Sequence, residues 1–456
     1  MECFVTFSNA IEQRLDCHFY QPKFVELENR ISKLTDKKLG DYIIAIAGGA
    51  TPNKNEAGRY YTKAENGVPF LRVQNVSPEG LNLENLVFIN QETHDNMLKR
   101  SQVKENYLIT KITGVGRMAV SSVVPPGFEG NINQHLVAMK TESPEVSRVL
   151  AAFLNSDIGE RLASRRSTGG TRPALDYEAL KTIPIVFEPR IVDIIQAAYK
   201  LKRQKEAKAQ SLLDSIDEYV LGELGISYPE LSNQMCYAVK SEQVVHNRMD
   251  SYYHQPKFHS LLASLKESGQ RIKSLGELSS LIINGADYRK YISEGVPYLR
   301  VSNIRPNQFD LRDIKFIPDL HLTKDISLNP GDLLVTRKGT YGVAVVASDE
   351  CKDMVISSEI FRVVLHREIN PHFLSLWLNN GFTKLMIDRV KTGGIMGHLS
   401  QEVLRHISIP IPVIETQNRI VEEAFQRIVK AKTLQQESNT EVEKAKAEVE
   451  HLILRK

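Results

Sequence analysis

The chain has 456 residues, 42% of them hydrophobic and 25% charged, and its 58 basic and 55 acidic residues give a net charge of +3. This composition is typical of a soluble globular protein with several domains, and it excludes disorder throughout. The small net charge excludes a histone-like binder, so any polyanion must be held by local basic patches.

The sequence predicts a cytoplasmic protein with reduced thiols. Its apolar runs are short, such as residues 43–47, and far below the roughly 20 residues of a membrane span. The N-terminus lacks the basic and apolar stretches of a secretory signal. Four cysteines (Cys3, Cys17, Cys236 and Cys351) are too few for a disulfide scaffold and form no CxxC pair.

The second half of the chain repeats the first. The recurring segments are 11–24 at 245–258, 67–76 at 295–304, and the Thr-Gly-Gly of 168–170 at 392–394. The separation between matching segments falls slowly from 234 to 228 to 224 residues, as small loop deletions would produce. The chain is therefore predicted to contain two copies of one structural unit.

Each copy has the same predicted order of elements. Mixed, β-rich sequence such as 69–76 and 331–346 is followed by a helix, at 145–165 and 370–391, and then by the Thr-Gly-Gly turn. A short apolar strand follows, at 183–187 in the first copy and 407–411 in the second. The predicted class is α+β, with mixed α/β domains at 1–188 and 226–412 and helices at 189–225 and 413–456.

A long helix without Pro or Gly closes each copy, at 190–221 and 415–454, with Gly222 in a position to cap the first. Apolar residues at 3/4 spacing predict that the two helices pair as an antiparallel coiled coil with a pseudo-two-fold axis. Packing of each helix on its own domain is the alternative. About 30 residues at ~1.5 Å each would make a spacer of roughly 45 Å, or about 13 base pairs of DNA. The predicted seam residues are Ile191, Ile194, Ala198, Leu201, Leu212, Val421, Ala424, Ile428, Ala431, Val442, Ala445, Val449 and Leu452.

The sequence supports no catalytic residue, metal site or cofactor site. The one nucleotide-type string, residues 114–119, fits GxGxxA, but valines and Pro125-Pro126 follow where a helix would have to begin. The second copy keeps Gly342 alone of these glycines. We find no HExxH, G-x-S-x-G or Walker A string.

Basic residues concentrate near the repeated turns, where glycines let backbone N–H groups approach phosphates and cations neutralise them. The alternative is a solvated helix C-terminus with a glycine cap. The candidate DNA-binding residues in the first copy are Arg59, Lys111, Arg165, Arg166, Thr168, Gly169, Gly170 and Arg172. Those in the second copy are Arg289, Lys290, Arg337, Lys338, Arg389, Lys391, Thr392, Gly393 and Gly394.

These features together resemble the DNA specificity subunit of Type I restriction-modification systems. The paired Arg-x-Asp openings, the two Gly-Val-Pro-aromatic-Leu-Arg-Val strands, and the Gly-Asp-Leu-Leu-Val string at 331–335 match that family in order. So do the two Thr-Gly-Gly turns and residues 409–420. The first copy departs from the pattern, since 106–109 read Asn-Tyr-Leu-Ile and 171–173 read Thr-Arg-Pro. The resemblance covers essentially the whole chain.

The resemblance implies two target-recognition domains, each reading half of a bipartite, asymmetric DNA site. It also implies that the chain is not catalytic and acts in a prokaryotic cytoplasm. Its implied partners are two DNA adenine methyltransferase subunits and motor-nuclease subunits. S-adenosylmethionine, ATP and Mg²⁺ would be bound by those partners. Three alternatives remain open: the specificity subunit of a system with fused nuclease and methyltransferase, a stand-alone enzyme fragment, and a scaffold that binds no nucleic acid.

Overall fold

The computed structural model describes residues 11, 14–230, 236–241, 248–318, 326–390 and 398–455. The chain divides into two compact units: unit 1 comprises residues 1–207 and 434–456, and unit 2 comprises residues 208–433. Each unit has its own hydrophobic cores.

Unit 1 is a mixed α/β domain. Its helices are α1 (Pro22–Ile31), α2 (Ala57–Tyr60), α3 (Pro144–Asn155), α4 (Asp157–Arg166) and α5 (Tyr177–Lys181). Its strands are β1 (Ile43–Gly48), β2 (Tyr61–Thr62), β3 (Val68–Leu71), β4 (Val76–Ser77), β5 (Gly80–Leu81), β6 (Val87–Ile89), β7 (Gln102–Val103), β8 (Leu108–Lys111), β9 (Ser121–Val123), β10 (Gly130–Ile132) and β11 (Leu136–Thr141).

The strands of unit 1 form an antiparallel sheet in the order β1-β11-β8-β9, a second sheet in the order β2-β6-β3-β10-β7, and the hairpin β4-β5. In the second sheet β3 and β10 are parallel. The first sheet is covered on one side by α3, α4 and the beginning of the long helix, whose buried side chains share one core with β8 and β11. The first sheet contributes to that core through alternate residues, and the residues between them, such as Ile109 and Ala138, belong to a second core shared with β3 and β10.

Unit 2 has the same kind of elements in the same order. Its helices are α7 (Pro256–Glu267), α8 (Pro371–Asn379), α9 (Gly381–Val390) and α10 (Gln401–Arg405). Its strands are β12 (Arg271–Ser274), β13 (Ser279–Asn284), β14 (Val296–Leu299), β15 (Ile304–Arg305), β16 (Gln308–Phe309), β17 (Lys315–Ile317), β18 (Leu333–Thr336), β19 (Ala344–Val346), β20 (Val355–Ile356), β21 (Ile360–Leu365) and β22 (Ser408–Ile411).

The sheets of unit 2 repeat those of unit 1. The order β13-β21-β18-β19 is antiparallel throughout and corresponds to β1-β11-β8-β9. The order β17-β14-β20 corresponds to β6-β3-β10, and again the last pair is parallel. The repeat that the sequence predicts is therefore a repeat of the fold, and the α+β class with two tandem domains is confirmed.

Each predicted helix before the Thr-Gly-Gly turn is in fact a pair of helices. In unit 1 the chain breaks at Ser156, whose hydroxyl accepts a hydrogen bond from the backbone N–H of Gly159 and caps α4. A side chain at Gly159 would lie 2.1 Å from the Phe153 carbonyl oxygen, so the break requires this glycine. In unit 2 the break falls at Asn380, whose side chain accepts from the Phe382 N–H.

Two long helices, α6 (Arg190–Glu223) and α11 (Ile414–Leu454), contribute to both units. Within unit 1, Lys205 of α6 forms a 2.9 Å ion pair with Glu437 of α11, and Ile191 shares a core with Val449. Late residues of α11 thus meet early residues of α6, which makes the pair antiparallel.

Unit 2 contains the other half of the pair. Arg427 of α11 donates to the backbone carbonyl and the hydroxyl of Ser215 on α6, both at 3.0 Å. Arg419 pairs with Glu223. From the Ser215–Arg427 contact to this ion pair, the residue number rises by eight along α6 and falls by eight along α11. The predicted antiparallel coiled coil is confirmed.

Most predicted seam residues are at least half buried. The buried ones are Ile191, Ala198, Ala424, Ala431, Val442, Ala445 and Val449. The half-buried ones are Ile194, Leu212, Val421, Ile428 and Leu452. Leu201, however, is 37% exposed. Lys202 and Lys205 occupy the inner positions instead, with their ammonium groups paired to Glu79 and Glu437.

Two further expectations are wrong in detail. Residues 183–187 form no strand; Ile183 and Ile185 bond to the backbone near Lys38, and Pro184 makes an isolated bridge there. A proline N cannot donate to a ladder, so the pairing ends at once. The cap of α6 is Gly225, with φ +66°, and Gly222 lies inside the last turn. None of the described helices is long and apolar enough to span a bilayer.

Candidate DNA interface

Two of the predicted DNA-binding residues, Arg165 and Arg166, are buried in an ion-pair cluster. Glu28 of α1 accepts from Arg165 Nη1 at 2.5 Å and from Arg166 Nη2 at 2.5 Å, and the two arginine side chains are 5% and 7% exposed. Burial raises the pKa of the Glu28 carboxyl, but the hydrogen bonds and charges of Arg166 and Arg165 outweigh it and hold that pKa below its ordinary value. Both guanidinium groups are therefore buried inside unit 1 and paired with Glu28.

The turn after α4 presents its polar tip to solvent. Thr168 and Ala174 exchange two backbone hydrogen bonds of 2.8 Å, which close a loop over residues 168–172, all of them exposed. Gly169 adopts φ +93°, a conformation that favours glycine. The Thr168 N–H is used within the loop, so a polyanion could reach the N–H groups of Gly169 and Gly170 and the guanidinium of Arg172.

Lys111 lies beside this loop. It ends β8, and its ammonium donates to the Val115 carbonyl at 3.3 Å. The following loop is held against the Thr-Gly-Gly loop by an antiparallel bridge between Thr113 and Ala174 and by a hydrogen bond from Gly114 N–H to the Pro173 carbonyl. Thus Lys111 and residues 168–172, which are far apart in sequence, lie on adjacent loops of unit 1.

Arg59 lies on a different element. It is in α2, its side chain is 73% exposed, and it forms a 3.4 Å ion pair with Glu56. The guanidinium also stands over the Tyr60 ring at 5.4 Å. No described contact joins Arg59 to the loops at Lys111 and 168–172.

The corresponding loop of unit 2 begins at Arg337. The Arg337 carbonyl accepts from the backbone N–H of Leu399 at 2.9 Å, just as Ile112 accepts from Leu175 in unit 1. Lys338 is exposed, 3.9 Å from Glu359. The buried Arg337 Nε has no hydrogen-bond partner in the part of the chain that the structure describes.

The other candidates of unit 2 are less concentrated. Arg289 and Lys290 are exposed after β13, and Arg289 is 86% exposed with Asp287 3.4 Å away. Arg389, near the end of α9, is half-buried and lies 4.0 Å above the Tyr253 ring. Lys391, Thr392, Gly393 and Gly394 lie outside the described residues.

A buried ion pair in unit 2 was not predicted. Asp332 accepts from Arg362 Nε at 2.7 Å, and both side chains are less than 10% exposed. The same carboxylate accepts from the Asn329 N–H at 2.8 Å. The Gly-Asp string of the resemblance therefore has a structural role here. The only available sequence signal was an arginine within the apolar run of 360–365.

The described residues contain no group of three or more His, Cys, Asp or Glu side chains that could hold a metal ion. The geometry at the two loops offers cations, hydroxyls and free N–H groups. Such groups bind phosphates and base edges.

Residues 267–444 match the sequence model of a family described as the Type I restriction modification DNA specificity domain. No curated protein sequence matches the chain.

Solved structures are similar over nearly the full length. A chain from a study of complex assembly and conformational transition of the type I R-M system is 16% identical, with a TM-score of 0.50, covering 92% of this chain and 95% of that one. The S subunit of a Type I system from M. genitalium is 14% identical, with a TM-score of 0.41 and coverage of 92% and 94%. The HsdS subunit from Thermoanaerobacter tengcongensis is 14% identical, with a TM-score of 0.36 and coverage of 91% and 95%.

The first of these structures shows the fold at a low sequence identity. Residues 267–444 are similar in sequence to the Type I restriction modification DNA specificity domain, and the chain is similar in fold to the first of these structures. The predicted resemblance to that family is confirmed.

Proposed function

We propose that this chain is the sequence-specific DNA-binding subunit of a Type I restriction-modification complex, and that it is not itself catalytic. The observation that carries the proposal is the occurrence of one α/β fold twice in the chain, with the DNA specificity domain matched in the second occurrence. Target-recognition domains at 1–188 and 226–412 would each read one half of a bipartite site.

The asymmetry of that site follows from loops that differ on a common frame. Between β8 and β9 the chain runs through nine residues, 112–120, whereas between β18 and β19 it runs through seven, 337–343. Different loops on equivalent strands present different side chains to the groove, which is how one scaffold can read two sequences.

In unit 1 the proposed DNA surface consists of Lys111 and the loop 168–172. The exposed glycines offer N–H groups to phosphates, and Arg172 and Lys111 supply positive charge. Arg59 is a further exposed cation on its own element. Arg165 and Arg166 are left out of this surface, because Glu28 neutralises them inside the domain.

In unit 2 the proposed surface consists of Arg337, Lys338, Arg289 and Lys290. It extends to residues 391–394 by their equivalence in sequence with the loop of unit 1. Arg389 is excluded, because its guanidinium lies against the Tyr253 ring rather than in solvent.

The long helices at 189–225 and 413–456 are proposed to hold the domains apart and to bind the partner subunits. In unit 2, α11 exposes apolar residues on its surface: Val429 is 61% exposed and Ile414 is 42% exposed. Exposed apolar side chains on a helix favour a protein partner. Two methyltransferase subunits would dock there, and these and the motor-nuclease subunits would bind S-adenosylmethionine, ATP and Mg²⁺.

The direct test is single-molecule methylation sequencing of genomic DNA from cells with and without this chain. Loss of one bipartite methylated-adenine motif on deletion is expected. A motif that persists in full after deletion would contradict the proposal.

A domain exchange tests the modular reading. Replacing residues 1–188 with the equivalent domain of another such subunit should change one half of the methylated motif and leave the other half and the spacing unchanged. Replacement of 226–412 is the matched control and should change the other half. A change of both halves in either chimera would refute independent reading.

Salt dependence separates this proposal from a scaffold that binds no nucleic acid. The affinity of the purified complex for its site should fall steeply with salt concentration, since phosphate contacts release counterions. A complex that forms with its partner subunits but shows no salt-dependent DNA binding would favour the scaffold.

A further inference from the structure

The two units contain equivalent clusters. In each, the opening Arg-x-Asp motif contacts the last residues of a helix, α4 in unit 1 and α9 in unit 2. In unit 1, Arg14 Nη1 donates to the Arg166 carbonyl at 2.7 Å, and Arg165 Nε donates to the Phe19 carbonyl at 3.1 Å. The Arg165 guanidinium lies 3.8 Å from the centre of the Phe19 ring. Glu28 then neutralises Arg165 and Arg166 together.

Unit 2 reproduces these contacts one by one. Arg248 Nη1 donates to the Val390 carbonyl at 3.1 Å, and Arg389 Nε donates to the Tyr253 carbonyl at 3.1 Å. The Arg389 guanidinium lies 4.0 Å from the centre of the Tyr253 ring. The two arginines and the aromatic residue are therefore in the same arrangement in both units.

The difference lies in the counter-ion. The position of Glu28 in α1 is taken by Leu262 in α7, and the position of Arg166 is taken by Val390. Among the described residues, no carboxylate forms an ion pair with Arg389. Burial lowers the pKa of Arg389, as expected for a cation that has lost water and gained no anion.

A cavity of about 430 Å³ occupies this place in unit 2. Arg389 lines it together with the apolar side chains of Phe258, Leu262 and Met386, and Glu402 lines it at an exposed position. Arg248, which is paired with Asp250 at 2.7 Å, also lines the cavity. The volume is within the range of small-molecule sites, and so is the combination of apolar walls with a few charged groups.

Unit 1 shows why the cavity opens in unit 2. There the Arg166 side chain fills the equivalent space, with Nε donating to the Thr182 hydroxyl at 2.8 Å and Nη1 donating to Glu28 at 2.9 Å. Replacing both members of this pair by shorter or apolar residues removes a guanidinium and a carboxylate. Arg389 is the part of the cluster that remains.

We propose that this cavity of unit 2 binds a small organic monocarboxylate, with its carboxylate on Arg389 where Glu28 stands in unit 1. The apolar body of the ligand would contact Phe258, Leu262 and Met386. A planar guanidinium in a half-buried site binds a carboxylate through short, charge-assisted hydrogen bonds. Glu402 in the lining repels negative charge, and because this repulsion grows with the charge of the anion, phosphates and other multiply charged anions are disfavoured relative to a monocarboxylate.

The first experiment titrates the full-length chain into 4-fluorophenylacetate and follows the ¹⁹F line width by NMR. Broadening is expected with the acid and not with the neutral control, 4-fluorophenylacetamide. Arg389→Met, which keeps the volume and removes the charge, should weaken binding of the acid at least about tenfold. Arg405→Met, at an exposed position of the nearby helix α10, is the matched control and should leave binding unchanged.

The second experiment restores the carboxylate of unit 1. Leu262→Glu should fold, retain its melting temperature and no longer bind the probe, because the new carboxylate occupies Arg389. In the Arg389→Met background the same substitution should lower the melting temperature by at least about 6 °C, since the carboxylate is then buried without a partner. This cycle measures the pairing without any ligand.

Equal broadening of the acid and the amide by the wild-type chain would overturn the proposal, as would binding that survives Arg389→Met. So would a Leu262→Glu chain that binds the probe as the wild type does. These outcomes leave the DNA-binding proposal unaffected, because none of its surface residues is changed.

Discussion

The cluster around Glu28 allows the sharpest quantitative prediction for unit 1. One carboxylate neutralises two guanidinium groups that come from a helix more than 130 residues later in the chain. Substitution Glu28→Gln keeps the shape of the side chain and removes its charge. It therefore isolates the electrostatic contribution of this cluster to folding.

The expected loss is about 3 kcal/mol. Removing one partner of a buried ion pair typically costs about 3–5 kcal/mol, because a buried charge is left uncompensated. Part of this cost is offset here. Arg165 keeps the Phe19 carbonyl and ring, and Arg166 keeps the hydroxyl and carbonyl of Thr182. The lower end of the range is therefore expected for Glu28→Gln.

The assay is urea denaturation of the full chain followed by far-UV circular dichroism. With a slope of about 2 kcal/mol per molar urea, a loss of about 3 kcal/mol lowers the midpoint for unit 1 by roughly 1.5 M. The single tryptophan, Trp377, is buried in the core of unit 2, so its fluorescence reports the other unit. Glu26→Gln, at an exposed position of the same helix, is the control and should change stability by less than about 0.5 kcal/mol.

The same cluster sets a pH dependence. Because the folded pKa of Glu28 is held below its ordinary value by Arg166 and Arg165, the ionised carboxylate stabilises the folded state fully above the unfolded pKa. That contribution is lost as the pH falls through the lower, folded pKa. Equal stability of Glu28→Gln and Glu26→Gln at pH 7, or a difference between them that does not shrink in acid, would refute this account.

Three further substitutions test the scaffold and the proposed surface. Gly225→Ala should destabilise the protein by about 1 kcal/mol, because φ +66° is unfavourable for alanine. Gly222→Ala, inside α6 with open space around it, should instead stabilise the protein by up to about 1 kcal/mol. The assignment of the cap would be contradicted if the melting temperatures of these two variants did not lie on opposite sides of that of the wild type. Asp332→Asn should lower the stability of unit 2 by about 3 kcal/mol, and the double change Asp332→Asn with Arg362→Met should recover most of it, as read from Trp377 fluorescence in urea. Arg172→Ala should reduce the slope of log affinity against log salt by about one for every DNA sequence, and an unchanged slope in binding titrations would remove Arg172 from the interface.

The sequence was sufficient to predict the architecture because the repeat doubles every local signal. A single Gly-Val-Pro strand or a single Thr-Gly-Gly turn is weak evidence, but two sets in the same order define a unit and its boundaries. The breaks at Ser156 and Asn380 were missed, since the apolar pattern continues across each of them. They depend on side-chain caps and on Gly159, whose missing Cβ lets α4 approach the end of α3.

The candidate site was harder to predict because burial is not local. The cluster Arg165-Arg166-Ser-Thr-Gly-Gly contains no acid, and its apparent positive charge pointed to a polyanion. Its counter-ion, Glu28, is brought to it by the packing of α1 on α4. Conversely, the proximity of Lys111 to residues 168–172 depends on backbone bridges that no local pattern encodes.

The two units have their buried ion pairs at different positions of the shared fold. Unit 2 pairs Asp332, just before β18, with Arg362 of β21, whereas the equivalent positions of unit 1 hold Tyr107 and, by the register of the sheet, Ala138. In the helix cluster the situation is reversed, since unit 1 holds the carboxylate there and unit 2 does not. At these positions a unit either holds both members of the ion pair or neither of them, except at Arg389, where the cation is present without a carboxylate and a cavity lies beside it.

This pairing limits where two such subunits can be joined. A chimera that exchanges residues 1–188 replaces Glu28 together with both of its arginines, leaves no part of the cluster without its partner, and should fold as the parent does. A junction between α1 and α4 that brings in a domain with leucine at position 28, as at Leu262 in unit 2, would leave Arg165 and Arg166 buried without a counter-ion. Such a chimera should lose about 3–5 kcal/mol and regain it when that leucine is changed to Glu. If the chimera joined after residue 188 and the chimera joined between α1 and α4 had the same urea midpoint, the cluster would not restrict where two subunits can be joined.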